Sequence, residues 1–256
     1  MRATTIPFFA SPYKLSMFLE CPRKYWYYYI SEETKYKQPE YPYFTVGGHV
    51  HDTLKNFFNL DKNLRTREKI LEILETFWET KSGREGGFES KEEEELYKRR
   101  AKKMLLKFFE SEDIKAKPIL WHSQSNPRVE VATNLFFTGV FDRIDVLPND
   151  ALHVIDYKTG KEDAVDKRNI QLPLYAVLAE KIFRKPVIQV SYLNLESGRW
   201  DTKGLERGYA FDIIGRVQEI VAQIPRSDEK EDFVCEYGNR CFHCNYLKEM
   251  GYGLET

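Results

Sequence analysis

The sequence predicts an α/β fold, a central mixed sheet flanked by helices and carrying a helical insert. Two changes of texture carry that prediction. Up to Ser111, apolar residues recur every three or four positions among charged ones, the periodicity of helices packed on one face. From Ile119 to Asp156 the runs become short and β-rich, "ILWHS", "RVEVATNLFFTGVFDRIDVL" and "ALHVIDYK", separated by the turn signals "NP" and "PND". The chain has 256 residues and 42% apolar content, enough to bury one core, so residues 1–256 are expected to form a single domain.

Taken in order, Ser11 offers a hydroxyl cap and Pro12 a proline at the first helical position, and Leu15, Phe18 and Leu19 form the stripe of a helix that delivers Cys21. "CPRKYWYYYI" then sets Arg23 and Lys24 beside five consecutive aromatic residues, Tyr25 to Tyr29, more rings than the stripe of one amphipathic helix requires. Residues 31–45, polar and with two prolines, read as a loop, and "VGGHVHDTLKNFFNL" opens a second helix after Gly47 and Gly48. Residues 65–111 read as two charged helices broken at "KSGREGGFES", which makes residues 52–116 a helical insert. In "SKEEEELYKRRAKKMLLKFF" acids precede bases, an order that complements the helix dipole. After Gly160 the pattern predicts a helix from Asp166 to Phe183, a strand "PVIQVSYLNL", and a last helix from Tyr209 to Ala222.

Charge is balanced, 39 basic against 40 acidic residues, so a nucleic-acid partner would have to be met by a local patch. The opening "MRATTIPFFASPYK" lacks the apolar core of a secretion signal, and no run is long enough to cross a bilayer; a cytoplasmic location and no membrane partner are expected. The four cysteines are placed unevenly, with Cys21 alone and Cys235, Cys241 and Cys244 together in "CEYGNRCFHC". In a reducing compartment, closely spaced cysteines hold a metal more often than they form disulfides. Cys21 is the one thiol left to complete a set of four, and residue 21 with residues 235–244 would then clip the chain ends together.

Asp156 and Lys158 in "VIDYKTGK" stand two apart on an apolar strand, so both side chains take one face while Tyr157 takes the other. A carboxylate and an ammonium at a strand end suit a cation and a charged oxyanion. Phosphodiester hydrolysis needs such a set: a hard cation on oxygen ligands and a lysine to orient the nucleophile or share the charge. By itself the triplet also fits a surface ion pair.

Taken together, five motifs resemble the PD-(D/E)XK nuclease superfamily, in particular its RecB-like, AddB-like branch with iron–sulfur cysteines, which includes CRISPR-associated exonucleases. In order they are "SPYKLSMFLECPRKYWYYYI", "GGHVHDTL", "GVFD", "DYK" and "QLPLY", and they span nearly the whole chain. The resemblance implies a restriction-endonuclease-like core. It implies Asp142 and Asp156 as metal-binding carboxylates for Mg or Mn, His51 as a further ligand in preference to His49, and Lys158 as the catalytic lysine. Gln171 and Tyr175, four apart on one helical face, would position the scissile strand. Glu130 takes the place of an additional acid carried by some relatives, and Asp145 that of a turn acid beyond the site.

The resemblance further implies a 4Fe-4S cluster on Cys21, Cys235, Cys241 and Cys244. Relatives commonly end in C-x2-C-x5-C, whereas Met250 stands at the last of those positions here and Cys235 replaces it from upstream. Four thiolates also suit tetrahedral zinc, a site that His243 could join. With Cys21 in the cluster, Arg23 and Lys24 would meet DNA phosphates and some of the adjacent rings would stack on unpaired bases. The implied activity is a metal-dependent deoxyribonuclease, exonucleolytic on single-stranded DNA, in repair or recombination beside a helicase or with CRISPR adaptation proteins. The rival reading is a non-catalytic subunit that binds DNA ends.

Overall fold

The computed structural model describes residues 7–31, 40–112, 114–119, 126–160 and 170–251. Helix α1 (Pro12–Glu20) begins as predicted, with the Lys14 backbone N–H donating to Ser11 Oγ at 3.1 Å. Cys21 ends it and caps the next, α2 (Pro22–Tyr29), by accepting from the Lys24 N–H. The aromatic run has several buried destinations. Tyr25 enters the main core, Tyr27 packs with Leu247, and the Trp26 indole donates to the Asp228 carbonyl at 2.8 Å.

Helix α3 (Pro42–Asn59) starts five residues before Gly47, because Pro42 can take the first helical position, where its missing N–H costs nothing. The loop expected at 31–45 therefore ends at Tyr41, and its residues 32–39 lie outside the described residues. Thr66 and Ser90 cap α4 (Arg67–Thr80) and α5 (Lys91–Ser111), the two expected charged helices.

The sheet comes in two mixed parts. The three-stranded part runs β1 (Phe8–Ala10), β3 (Leu135–Thr138), β2 (Arg128–Ala132), with β1 parallel and β2 antiparallel to β3. The four-stranded part runs β4 (Arg143–Val146), β5 (Leu152–Lys158), β6 (Val187–Asn194), β7 (Arg199–Gly204), with β5 and β6 parallel. Helix α6 (Gln171–Phe183) makes the crossover between β5 and β6, and α7 (Tyr209–Gln223) and α8 (Phe242–Glu249) follow. Mixed sheets with flanking helices are consistent with a restriction-endonuclease-like fold. The "ILWHS" run lies outside the described residues except Ile119, which bridges to Ile144, as does the start of the helix expected from Asp166.

The four-stranded part is covered on both faces, which is why β5 carries large residues on both, Leu152 and Val154 on one and Ile155 and Tyr157 on the other. On one face Val154 and Val190 pack with Leu174 and Val177 of α6. On the other, Ile155, Tyr157 and Leu193 pack with Leu54, Phe57 and Trp78 of the helical layer α3–α5 and with Phe108. Asp156 shares parity with Val154, so it emerges on the α6 face at the carboxyl end of a buried strand. Among the described residues no helix is long and apolar enough to cross a membrane.

Candidate active site and cysteine cluster

Strand alternation does what was expected of it: Asp156 and Lys158 share a face, and Tyr157 is buried on the opposite one, edge-on to Phe108. The Lys158 ammonium lies 2.8 Å from Asp156 Oδ2 and donates to Gln171 Oε1 at 2.8 Å. The Gln171 amide donates in turn to Asp156 Oδ1 at 2.8 Å, closing a triangle at the first residue of α6. Tyr192, opposite Asp156 on β6, places its ring 4.7 Å below the ammonium, a cation–π contact.

Asp142 stands just before β4 and has both oxygens engaged. Oδ1 pairs with His51 Nδ1 at 2.8 Å and Oδ2 accepts the Tyr157 backbone N–H at 2.8 Å. In the neutral imidazole with Nδ1 donating to the carboxylate, His51 Nε2 keeps its lone pair. His49, one of the two candidate histidines, is instead buried against Trp78 and donates to the Lys81 carbonyl at 2.8 Å.

Burial and the neighbouring Asp142 charge push the Asp156 carboxyl up to about 6, against the opposing pull of Lys158. Burial works against a charged His51, but the charge and hydrogen bond of Asp142 prevail and raise its pKa. Burial and the Asp156 charge push the Tyr175 phenol up to about 12, so it remains a neutral donor. Asp156 Oδ2 is buried and, although ion-paired, makes no aligned hydrogen bond. A hard divalent cation fits that donor set: an under-used buried carboxylate oxygen, the remaining lone pairs of Asp142, and an imidazole nitrogen.

At the chain ends the four cysteine sulfurs lie within 4.8 Å of one another, with Cys21 and Cys244 at 3.6 Å. Two of them are helix caps: Cys21 opens α2, and Cys241 opens α8 by accepting from the Cys244 N–H. Burial raises the Cys21 thiol and pushes Cys244 up to about 12, while hydrogen bonds outweigh burial at Cys241 and lower it. Among the described residues this is the one group of three or more such ligands gathered so tightly. The set fits a metal ion or cluster.

A model of the PD-(D/E)XK nuclease superfamily matches residues 10–248. The chain belongs to this superfamily. Comparison with curated proteins gives no match. PD-(D/E)XK proteins are usually nucleases that use divalent metals, in keeping with the donor set around Asp156.

Several features of this PD-(D/E)XK chain escaped sequence reasoning. Gly139 leads the "GVFD" motif because a Cβ there would sit 2.4 Å from the Tyr175 ring; the glycine makes room for the tyrosine of "QLPLY". Asp145 is not a turn acid but lies within β4, where it clamps Arg143 through two 2.8 Å bonds. Buried Arg143 also faces Glu112 at 3.5 Å. Glu130 is exposed on β2 and accepts the Asn134 N–H, holding the β2–β3 turn. Arg23 and Lys24 lie on α2 beside the cysteines. Neither lines the two cavities flanking the site, one walled by Gln171, Tyr175, Glu20 and His243, the other by His51, Phe44 and Arg100. His243 lies 3.5 Å from Glu20. Only the register of β5 against β6 brings Tyr192 under Lys158, and no single motif contains that information.

Proposed function

We propose that this chain is a Mg- or Mn-dependent deoxyribonuclease of the RecB-like, AddB-like branch that degrades single-stranded DNA from its ends. The observation that carries the reading is the Lys158–Asp156–Gln171 triangle facing the His51–Asp142 pair at the end of one buried strand. His51 Nε2, Asp142 and Asp156 would hold the divalent ion. Bound there, it would supply an activated water and neutralise charge on the phosphate.

The chain's own residues divide the remaining work. Lys158 gives its proton-rich head to the attacking water or to a non-bridging phosphate oxygen. Gln171 fixes that head, and the Tyr192 ring below it limits its swing. Tyr175, kept as a phenol, donates to the phosphate on the next residue of the strand. The cysteine quartet would hold a 4Fe-4S cluster, with zinc as the alternative occupant, and pin α1 and α8 beside the cleft; Arg23 and Lys24 would meet phosphates near it. The setting would be repair or recombination beside a helicase, or spacer acquisition with CRISPR adaptation proteins, in the cytoplasm. A non-catalytic DNA-end subunit would be expected to lack the lysine or a ligand, whereas every one of those positions is filled.

The test is digestion of single-stranded DNA labelled at either end, with Mg or Mn, by wild type and by Lys158→Ala. Metal-dependent shortening by the wild type alone supports the reading, and the label gives the direction. Equal digestion by both proteins, or none by either despite tight DNA binding, overturns it.

A further inference from the structure

His51 shares one face of α3 with Gly48 and Phe44, at helical spacings of three and four. Phe44 and Tyr43 are 45% and 51% exposed, large rings left open to solvent in the first turn of α3, and their centroids lie 4.4 Å apart. Tyr43 also stacks on Tyr41 at 5.3 Å with 11° between the planes, and the Tyr41 hydroxyl is held by that of Tyr246 on α8 at 3.0 Å. The rings thus form an anchored platform. It walls the same cavity as Gly48, His51 and Arg100, so it is continuous with the candidate metal site.

The two glycines of α3 have different explanations. A Cβ at Gly47 would sit 3.2 Å from Thr159 Oγ1, so packing accounts for that residue. A Cβ at Gly48 would meet nothing within 4 Å, yet glycine inside a helix is destabilising relative to alanine. Among the described residues nothing packs against Gly48 closely enough to require its bareness. The open space at Gly48 lies between the ring platform and His51.

We propose that Tyr43, Phe44 and Gly48 form a lane in which the bases of a single-stranded nucleic acid stack on their way to the His51 side of the site. The proposal rests on the nuclease reading and deepens it by naming the surface on which the unpaired bases would stack. Arg100 already shares its charge with Glu196 at 2.6 Å, so the chemistry offered by this wall is chiefly π-face and bare backbone. Unpaired bases present such faces, while a duplex hides them within its own stack.

The measurement is binding of a fluorescent oligothymidylate and of a fluorescent hairpin duplex, by anisotropy in Ca²⁺, to wild type, Tyr43→Ser/Phe44→Ser and Gly48→Leu. Each variant is expected to lose about tenfold in affinity for the single strand and little for the duplex. Gly48→Leu should melt no lower than wild type, which keeps the test valid if the double variant folds poorly. Single-strand affinity unchanged in Gly48→Leu, or duplex affinity lost equally, overturns the lane. Cleavage by wild type with Mg or Mn is scored separately. A cleaving wild type with unaffected variants sinks the lane alone, and a non-cleaving wild type with affected variants sinks the nuclease reading alone.

Discussion

The carboxylate site and the cysteine cluster are built in opposite ways. The first sits at the end of a strand buried on both faces, and its groups hold one another: Lys158 and Gln171 on Asp156, Asp142 on His51. The second joins residues as many as 223 positions apart, gathered at the starts of two eight-residue helices. One site is organised before any ion arrives. The other would gain most of its cohesion from an ion, because buried neutral thiols offer only weak hydrogen bonds. The contrast teaches that hydrogen bonds among charged groups order one site, whereas the other gathers four thiols with few such bonds among them.

The sharpest way to break that comparison is Asp156→Asn, which removes charge while keeping the shape. Its rate of DNA cleavage under single-turnover conditions should fall on the order of a hundred- to ten-thousandfold. Its melting temperature should hold or rise, since a buried carboxylate raised by burial is relieved. A large loss of stability would show that the site is architectural as well.

Cys21→Ser should behave in reverse. Metal content measured on the purified protein should drop, and unfolding free energy should fall by about 3 kcal/mol or more as α1, α2 and α8 come apart. Limited proteolysis should then cut near both ends while the segment carrying β4 to β6 persists.

Gly139→Ala sharpens the comparison within the rigid half. Its methyl would need the place of the Tyr175 ring, so a cost of about 1–3 kcal/mol is expected together with displacement of that phenol, visible as a shifted tyrosine signal in fluorine-labelled protein. The smallest effect expected is that of Ser11→Ala, about 1 kcal/mol by chemical denaturation, because one cap on the helix before Cys21 is lost.

Much of the site was legible because its information is local. Asp156 and Lys158 share a face by strand alternation, Gln171 and Tyr175 by helical spacing, and Ser11–Pro12 and Ser90 are caps that act within one turn. What was missed depends on partners. β1 is only three residues long and is a strand because β3 lies beside it. β7, "RWDTKG", is largely exposed and has no apolar alternation; its pairing with β6 across the Gly198 turn, not its composition, makes it a strand. The early start of α3 turned on Pro42 acting as an initiator instead of a loop residue. Asp145 resembled a turn acid until Arg143, two residues before it on the same strand face, claimed both its oxygens.

Amino-acid order by itself determined the helix and strand periods and the pairing of carboxylate and ammonium at the end of β5, because each follows from spacing along the backbone, and it offered the set of four thiols because the chain has no others. Only the tertiary structure decided that the sheet divides in two, that Gly139 yields its space to Tyr175, that Tyr192 lies beneath Lys158, and that Tyr43 and Phe44 open onto the cavity of His51. Those are contacts between segments far apart in the chain, and close packing settles them only when every segment is in place.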